Sequence, residues 1–352
     1  MVLQICGLSG SGLTQPSEND YLSDNVLNEH ETLFFIFANK KIMKIVIAEP
    51  LGLTPETFKL INEEWTKLGH EIQIYWDRNE TPEILIQRIQ HAEILIISNI
   101  PLPKTILEHC SHLKLISVAF TGLDHIDLNY CKSTSVEVRN CAGYATTAVA
   151  ELTIGLILDL YRQITFLDQK TRNGGSRGPF LGRQIKGKTV GIIGTGAIGS
   201  ETAILAKHFG ANVIAYSRTK RQNLIELGVQ YLTLNQLVEQ SDVISIHTPL
   251  TPDTEHILNE SNLKYCKPSA ILINTARGKV VDIPFVAKML KSGKLAGAAF
   301  DVFETEPPLA ENHPLLSAPN CIVVPHIAYA TQESFEIRIQ LALNNIKNFL
   351  KL

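Results

Sequence analysis

The chain of 352 residues lacks the features that mark secreted, membrane-spanning or metal-binding proteins. Its six cysteines are scattered, without the C-x-x-C or Cys/His spacing of a zinc site, so neither a disulfide framework nor a metal is expected. The longest apolar run near the start, Leu33 to Ala38, is far shorter than the about 20 residues that cross a bilayer. Residues 1–39 contain no Lys or Arg, unlike a signal or transit peptide. We therefore expect a cytoplasmic protein without membrane association.

Positive charge is not in excess either. The chain has 32 Lys and Arg against 35 Asp and Glu, a formal net charge of -3. Without a polybasic surface, nucleic acid is not an expected partner. The length exceeds what one hydrophobic core usually holds, which predicts two domains.

The first 42 residues are polar, rich in turn-forming residues and poorly periodic, and they predict a loosely ordered extension. The stretch "GLSGSGLT" (7–14) has the glycine spacing of a phosphate-binding P-loop, but Leu13 stands where the essential lysine should be. We therefore predict no phosphate site there.

From Met43 onward, short apolar strands alternate with helices, which predicts two α/β domains with doubly wound parallel sheets. The first domain is predicted to contain strands at 44–48, 71–76, 93–98 and 114–118 and helices at 54–68, 82–90 and 103–109. One long helix is predicted at 147–167, before a loop rich in Gly and Arg. The second series has predicted strands at 189–193, 213–216, 243–246, 270–273, 296–300 and 322–324, followed by a helix at 331–350.

A glycine-rich turn opens the second series. Gly194, Gly196 and Gly199 form G-x-G-x-x-G between a predicted strand and a predicted helix, the context of a dinucleotide-binding fingerprint. The first glycine permits a tight turn, the second lets the backbone approach a pyrophosphate, and the third allows the helix to pack on the strand. The N–H groups of Ala197 and Ile198, at the helix N-terminus, would hold the anion.

The next strand ends in "VIAYSRTKR" (213–221). NAD-binding versions of the fingerprint place a carboxylate at this position, where it contacts the adenosine ribose. This chain has Ser217 and Arg218 there, followed by Lys220 and Arg221. A hydroxyl and cations would bind the 2′-phosphate of NADP, so NADP is predicted as the preferred coenzyme and NAD as the alternative.

Arg277, Glu306 and His326 each follow a separate predicted strand. Carboxyl ends of parallel strands line one crevice, so these side chains can converge. The planar fork of an arginine can hold a carboxylate and polarise a carbonyl beside it. His326 can exchange a proton with the carbonyl oxygen, and Glu306 can orient the imidazole and stabilise its charged form.

Together with the glycine loop, several motifs in fixed order resemble the D-isomer-specific 2-hydroxyacid dehydrogenase family. They are "FTGLDHIDL" (120–128), "NCAGYATTAVAEL" (140–152), "HTPLTPDT" (247–254), "INTARGKVVD" (273–282), "GAAFDVFETEP" (297–307) and "VPHIAYAT" (324–331). The resemblance implies a Rossmann coenzyme domain, 143–325, inserted into a flavodoxin-like substrate domain, 43–142 and 326–352. It also implies a homodimer formed through coenzyme-domain elements that include the helix at 147–167.

The resemblance further implies individual contacts. Backbone N–H groups near Asn99 and Ile100 would bind the substrate carboxylate, beside Arg277 and His326. The additional coenzyme contacts it implies are Thr219, Thr248, Pro249, Thr254, Thr275, Ala276, Asp301 and Ala328.

The substrate loops offer one cation, Lys104, so a small unphosphorylated acid such as glyoxylate or hydroxypyruvate is favoured over 3-phosphoglycerate. Two alternatives stay open at this point. One is a 3-phosphoglycerate dehydrogenase. The other is a nucleotide-sensing interaction protein similar to the transcriptional corepressors that share this fold.

Overall fold

The computed structural model describes residues 42–352, which contain two all-parallel β-sheets flanked by helices. The predicted extension and the glycine-rich stretch 7–14 therefore lie outside the described residues, apart from Ile42. Within the described part, no helix is long and apolar enough to span a membrane.

The first sheet has five strands in the order β2-β1-β3-β4-β5, which is the flavodoxin-like order. Both β3 and β4 are buried at all four positions, as expected for apolar strands covered on both faces. The strands are β1 (Lys44–Ile47), β2 (Glu71–Ile74), β3 (Ile94–Ile97), β4 (Leu115–Val118) and β5 (Glu137–Asn140). The helices in this part are α1 (Pro55–Lys67), α2 (Pro82–Ile89), α3 (Lys104–Leu107) and α4 (Leu128–Ser133).

Two helices follow, α5 (Thr146–Arg162) and α6 (Ile164–Arg172), so the prediction of one helix over 147–167 is wrong. The helical conformation is interrupted at Gln163, which has a left-handed φ of 50°. Asp159 accepts hydrogen bonds from the N–H and the hydroxyl of Thr165, and these contacts start the second helix. The apolar pattern runs through this break and therefore does not reveal it.

The second sheet has seven strands in the order β12-β11-β10-β9-β6-β7-β8. From β6 onward this is the Rossmann order, with β12 added beyond its sixth strand. The strands are β6 (Thr189–Ile193), β7 (Asn212–Tyr216), β8 (Gln230–Tyr231), β9 (Val243–Ile246), β10 (Ile271–Asn274), β11 (Gly297–Phe300) and β12 (Cys321–Val323). The helices are α7 (Ala197–His208), α8 (Gln222–Glu226), α9 (Leu234–Gln240), α10 (Glu260–Leu263) and α11 (Ile283–Lys291), with a 3₁₀ turn at Gly278–Val280. The predicted fold class, two doubly wound parallel-sheet domains, is confirmed.

The last helix, α12 (Gln332–Leu350), returns to the first sheet and packs on β4 and β5. The Ser117 hydroxyl donates to the carbonyl of Ala342 at 2.9 Å, and the Asn345 amide donates to the carbonyl of Asn140 at 3.1 Å. We keep as a proposal the division into 43–142 with 326–352 and 143–325.

Packing of α12 on the first sheet can be tested with two isoleucines of the same helix. Ile346 is 0% exposed and Ile337 is 45% exposed. Ile346→Ala should lower the free energy of unfolding by about 2–5 kcal/mol, because it leaves a cavity under the helix. Ile337→Ala, the matched control, should change it by no more than about 0.5 kcal/mol. Equal effects in urea denaturation would contradict this packing.

Candidate active site

A cleft of about 880 Å³ lies where the carboxyl ends of strands from both sheets meet. Its walls come from loops of both sheets and are mostly apolar. They include Phe120, Tyr144, Ile198, Thr248, Arg277 and Tyr329. A largely apolar cleft with a few converging polar groups is typical of a small-molecule site.

The glycine loop has the shape that a pyrophosphate requires. Gly194 adopts a φ of 93°, which favours glycine. A Cβ on Gly199 would lie 1.9 Å from the carbonyl oxygen of Gly194, so only glycine lets α7 pack this close to the strand. Helix α7 begins at Ala197, and its N-cap residue Gly196 has no side chain to cap it. The first N–H groups of α7 are thus available to an anion.

The side of the cleft next to the glycine loop also has residues suited to a bound dinucleotide. The residues on this side that were predicted to contact the coenzyme all line the cleft: Ala197, Ile198, Thr248, Pro249, Thr275 and Ala276. The Thr248 hydroxyl is buried and has no hydrogen-bond partner among the described residues. A buried polar atom without a partner is costly, so a ligand contact at this hydroxyl would be favourable.

Thr254 shapes the turn that carries Pro249. Its hydroxyl donates to the carbonyl of Pro249 at 2.6 Å and accepts the N–H of Thr251 at 2.8 Å. The coenzyme contact at Thr254 stays a prediction.

The basic segment after β7 lies beside the glycine loop. Ser217 is half-buried, and Arg218 and Thr219 are exposed. The Thr195 hydroxyl donates to the carbonyl of Thr219 at 3.2 Å, and Arg221 Nε donates to the carbonyl of Thr195 at 3.2 Å. Both contacts tie the end of β7 to the turn between Gly194 and Gly196.

Asp301, directly after β11, is fully buried. Its carboxylate accepts the N–H of Ile327 at 2.6 Å and the N–H of Ala328 at 3.0 Å. Burial raises the pKa of Asp301, and these two hydrogen bonds offset part of that rise. Asp301 and Ala328 both line the cleft, as predicted, and together they hold the loop that carries His326.

His326 has a left-handed φ of 52°, a conformation uncommon for a residue with a side chain and often found at active sites. Its Nδ1 lies 2.8 Å from Oε2 of Glu306. The ring makes edge contacts with Phe120 and Tyr329, at centroid distances of 5.9 and 5.4 Å. Since Glu306 accepts from Nδ1–H, Nε2 is the nitrogen left for a substrate.

Arg277 also packs against the ring of Phe120. Its guanidinium carbon lies 5.7 Å from the centroid of the Phe120 ring. The ring thus contacts both Arg277 and His326, and the structure brings together the three predicted catalytic side chains.

Arg277 also forms an ion pair with Asp124 that the sequence reasoning did not identify. Nε and Nη2 lie 3.2 and 3.1 Å from Oδ1 of Asp124. Asp124 belongs to the motif at 120–128, so the sequence marked this residue as part of a family motif. Nothing in that motif indicated that Arg277 is its partner.

The loop after β3 differs in part from its predicted role. Oε1 of the buried Glu49 accepts the N–H of Ser98 at 2.7 Å and the N–H of Ile100 at 3.2 Å. The predicted substrate contact at Ile100 is therefore corrected, because its N–H is taken and its side chain is fully buried. The substrate contact at the N–H of Asn99 stays a prediction.

A cation missing from the sequence reasoning, Arg78, reaches the same loop. Its Nη1 donates to Oδ1 of Asn99 at 2.7 Å and to Glu49. Its Nε donates to Glu80 at 2.7 Å. Arg78 follows β2, far from Asn99 in the chain, so no local pattern could have predicted this contact.

Comparison with known proteins identifies the chemistry that such a site serves. Residues 154–328 match the family described as D-isomer specific 2-hydroxyacid dehydrogenase, NAD binding domain. A glyoxylate reductase from Thermococcus litoralis is 38% identical over 293 residues, which cover 80% of this chain and 88% of the relative. The chain belongs to the D-isomer specific 2-hydroxyacid dehydrogenase family.

Two further similarities agree with membership of this dehydrogenase family. A hydroxypyruvate reductase from Blautia hydrogenotrophica is 33% identical over 321 residues, covering 88% of this chain and 97% of the relative. The solved structure of an acyclic imino acid reductase in complex with NADPH and D-Arg has a TM-score of 0.79 at 30% identity, covering 88% and 97% of the two chains. This D-2-hydroxyacid dehydrogenase is an oxidoreductase that acts on CH–OH groups with a nicotinamide coenzyme.

The role of His326 in this dehydrogenase is tested by His326→Ala. Loss of the proton donor should lower kcat by about 10²–10⁴-fold, with the dissociation constant of the coenzyme unchanged. Glu306→Gln, which keeps the shape but removes the charge that orients the ring, should lower kcat by a smaller factor. Turnover at the unmodified rate in His326→Ala would rule out His326 as the proton donor.

Proposed function

We propose that this dehydrogenase reduces small, unphosphorylated 2-oxo acids, glyoxylate and hydroxypyruvate above all, and that it prefers NADPH. The observation that carries the proposal is the ring of Phe120, which packs against both Arg277 and His326. An anchor for a carboxylate and a proton donor thus flank one apolar surface, which suits a substrate whose carboxylate and carbonyl are adjacent.

The proposed reaction uses few groups. The guanidinium of Arg277 holds the substrate carboxylate and polarises the neighbouring carbonyl. A reduced nicotinamide coenzyme held along the glycine loop, Thr248 and Thr275 would supply the hydride for the carbonyl carbon. Nε2 of His326 donates a proton to the carbonyl oxygen as charge develops there, and Glu306 stabilises the imidazolium before transfer. In the opposite direction His326 accepts the proton from the hydroxy acid.

The preference for NADPH rests on the end of β7. Ser217 and the exposed Arg218 occupy the position of the carboxylate that would repel a 2′-phosphate. Arg221 is anchored next to the glycine loop, because its Nε donates to the carbonyl of Thr195. Two guanidinium groups at this position favour a phosphate over a free ribose hydroxyl.

The preference for an unphosphorylated substrate rests on Arg78. This cation reaches the predicted substrate loop, yet both Glu49 and Glu80 are paired with it. A guanidinium already held between two carboxylates is a poor site for a phosphate. Reduction of glyoxylate and hydroxypyruvate by the two relatives, as their names state, agrees with this substrate class.

We also propose that the enzyme works as a homodimer in the cytoplasm. Ile164 and Phe166, at the start of α6, are large apolar side chains left more than half exposed, and Leu181 in the following loop is 82% exposed. Burying these side chains against a second copy would remove apolar surface from water.

A spectrophotometric screen of 2-oxo acids with NADPH and NADH in parallel tests the substrate and the coenzyme together. We expect oxidation of NADPH with glyoxylate and hydroxypyruvate and higher kcat/KM with NADPH than with NADH. In the reverse assay with NADP⁺ or NAD⁺, efficient oxidation of 3-phosphoglycerate, together with poor use of hydroxypyruvate in the screen, would indicate the phosphoglycerate dehydrogenase instead. Tight coenzyme binding without turnover of any 2-oxo acid would indicate the nucleotide sensor.

One variant tests the preference for NADPH separately from the substrate. Arg218→Ala should raise the KM for NADPH by about tenfold or more, since one charge-assisted contact contributes roughly 1.5–3 kcal/mol, and should leave the KM for NADH unchanged. Lys291→Ala, which removes an exposed cation at the end of α11, is the matched control. An equal rise for both coenzymes, or none, would show that Arg218 does not contact the 2′-phosphate.

A further inference from the structure

We propose that Asp124 is a positioning residue that sets the orientation of Arg277 across the cleft, so that the substrate anchor is assembled only when both sheets contribute to it. The inference rests on the proposed role of Arg277 in holding the substrate carboxylate. It adds a residue that acts through Arg277 and does not itself contact the reacting atoms.

The ion pair joins two distant parts of the chain. Arg277 follows β10 of the seven-stranded sheet, and Asp124 lies in the loop after β4 of the five-stranded sheet. Nε of Arg277 lies 3.2 Å from Oδ1 and 3.3 Å from Oδ2 of Asp124, and Nη2 lies 3.1 Å from Oδ1. The carboxylate therefore covers the edge of the guanidinium formed by Nε and Nη2, which fixes the plane of the fork.

A second anchor holds the opposite side of the same group. Nη1 of Arg277 donates to the carbonyl oxygen of Ala276 at 2.7 Å. Gly122 leaves space for the guanidinium, because a Cβ there would lie 1.8 Å from Nη2. Three of the five guanidinium N–H groups are thus engaged, which leaves one on Nη1 and one on Nη2 for a bidentate contact with a carboxylate.

The environment of Asp124 favours its charged form despite partial burial. Burial alone would raise the pKa of Asp124, but the charge and hydrogen bonds of Arg277 lower it below its usual value. The carboxylate is therefore ionised at neutral pH. Its negative charge weakens the general attraction of Arg277 for anions, so its contribution is to orientation and not to ground-state affinity.

If Asp124 contributes to the orientation of Arg277 and not to substrate affinity, Asp124→Asn should have a specific kinetic signature. A guanidinium that is free to rotate still attracts a 2-oxo acid, but it holds the carbonyl carbon in the reactive geometry for a smaller fraction of the time. We expect kcat to fall by roughly 10–100-fold, with a much smaller rise in the KM for the 2-oxo acid and no change in the KM for the coenzyme.

Asp127→Asn is the matched control. Asp127 lies in the same loop, carries the same charge and caps α4 by accepting the N–H of Tyr130 at 2.9 Å. Asn caps helices about as well as Asp, so this variant removes the charge and keeps the fold. Its kcat should stay within about threefold of that of the unmodified enzyme, in contrast to Asp124→Asn.

The double variant Asp124→Asn with Arg277→Ala identifies the path of the effect. If Asp124 acts through Arg277, the double variant should have the kcat/KM of Arg277→Ala alone. A double variant whose loss of kcat/KM equals the product of the two single losses would overturn the inference. An Asp124→Asn enzyme with unchanged kcat would overturn it as well. Full activity of Arg277→Ala would instead reject the proposed role of Arg277, which keeps the two failures distinct.

Discussion

The site depends on one geometric constraint, which is that all strands of a parallel sheet end on the same side. Gly194, Arg277 and Asp301 follow β6, β10 and β11 of the larger sheet, and Phe120 and Asp124 follow β4 of the smaller one. The carboxyl ends of the strands of one sheet alone do not carry all the residues of the site. Only where the two edges face each other does the ring of Phe120 lie against both Arg277 and His326, and only there does Asp124 meet Arg277.

Two buried carboxylates hold the loops at these edges in the same way. Asp301 accepts two backbone N–H groups of the loop that carries His326, and Glu49 accepts two from the loop that carries Asn99. Burial raises the pKa of both groups, and the hydrogen bonds offset part of the cost of burying a carboxylate. These bonds also satisfy the buried backbone donors of Ser98, Ile100 and Ala328, which would be costly to leave without a partner.

Several features could be predicted from the sequence because they depend on short segments. Apolar runs of four or five residues identified ten of the strands, and the spacing of Gly194, Gly196 and Gly199 identified the coenzyme turn. The strands β5 and β8 were missed, since "EVRN" and "QY" are too polar or too short to stand out, and their pairing depends on neighbours far along the chain. The break at Gln163 was missed because residues on both sides favour a helix.

The sequence by itself therefore determined most of the strands and helices, the glycine turn and the types of the side chains proposed for the chemistry. Only the tertiary structure decided which of these groups meet. Asp124 and Arg277 are separated by 153 residues and Glu49 and Ile100 by 51. Such contacts come from the packing of whole sheets and helices, and the local pattern around either residue carries no information about its partner. For the same reason nothing in the sequence around Ile100 shows that its N–H, which the family resemblance assigned to the substrate, is bound to the buried carboxylate of Glu49.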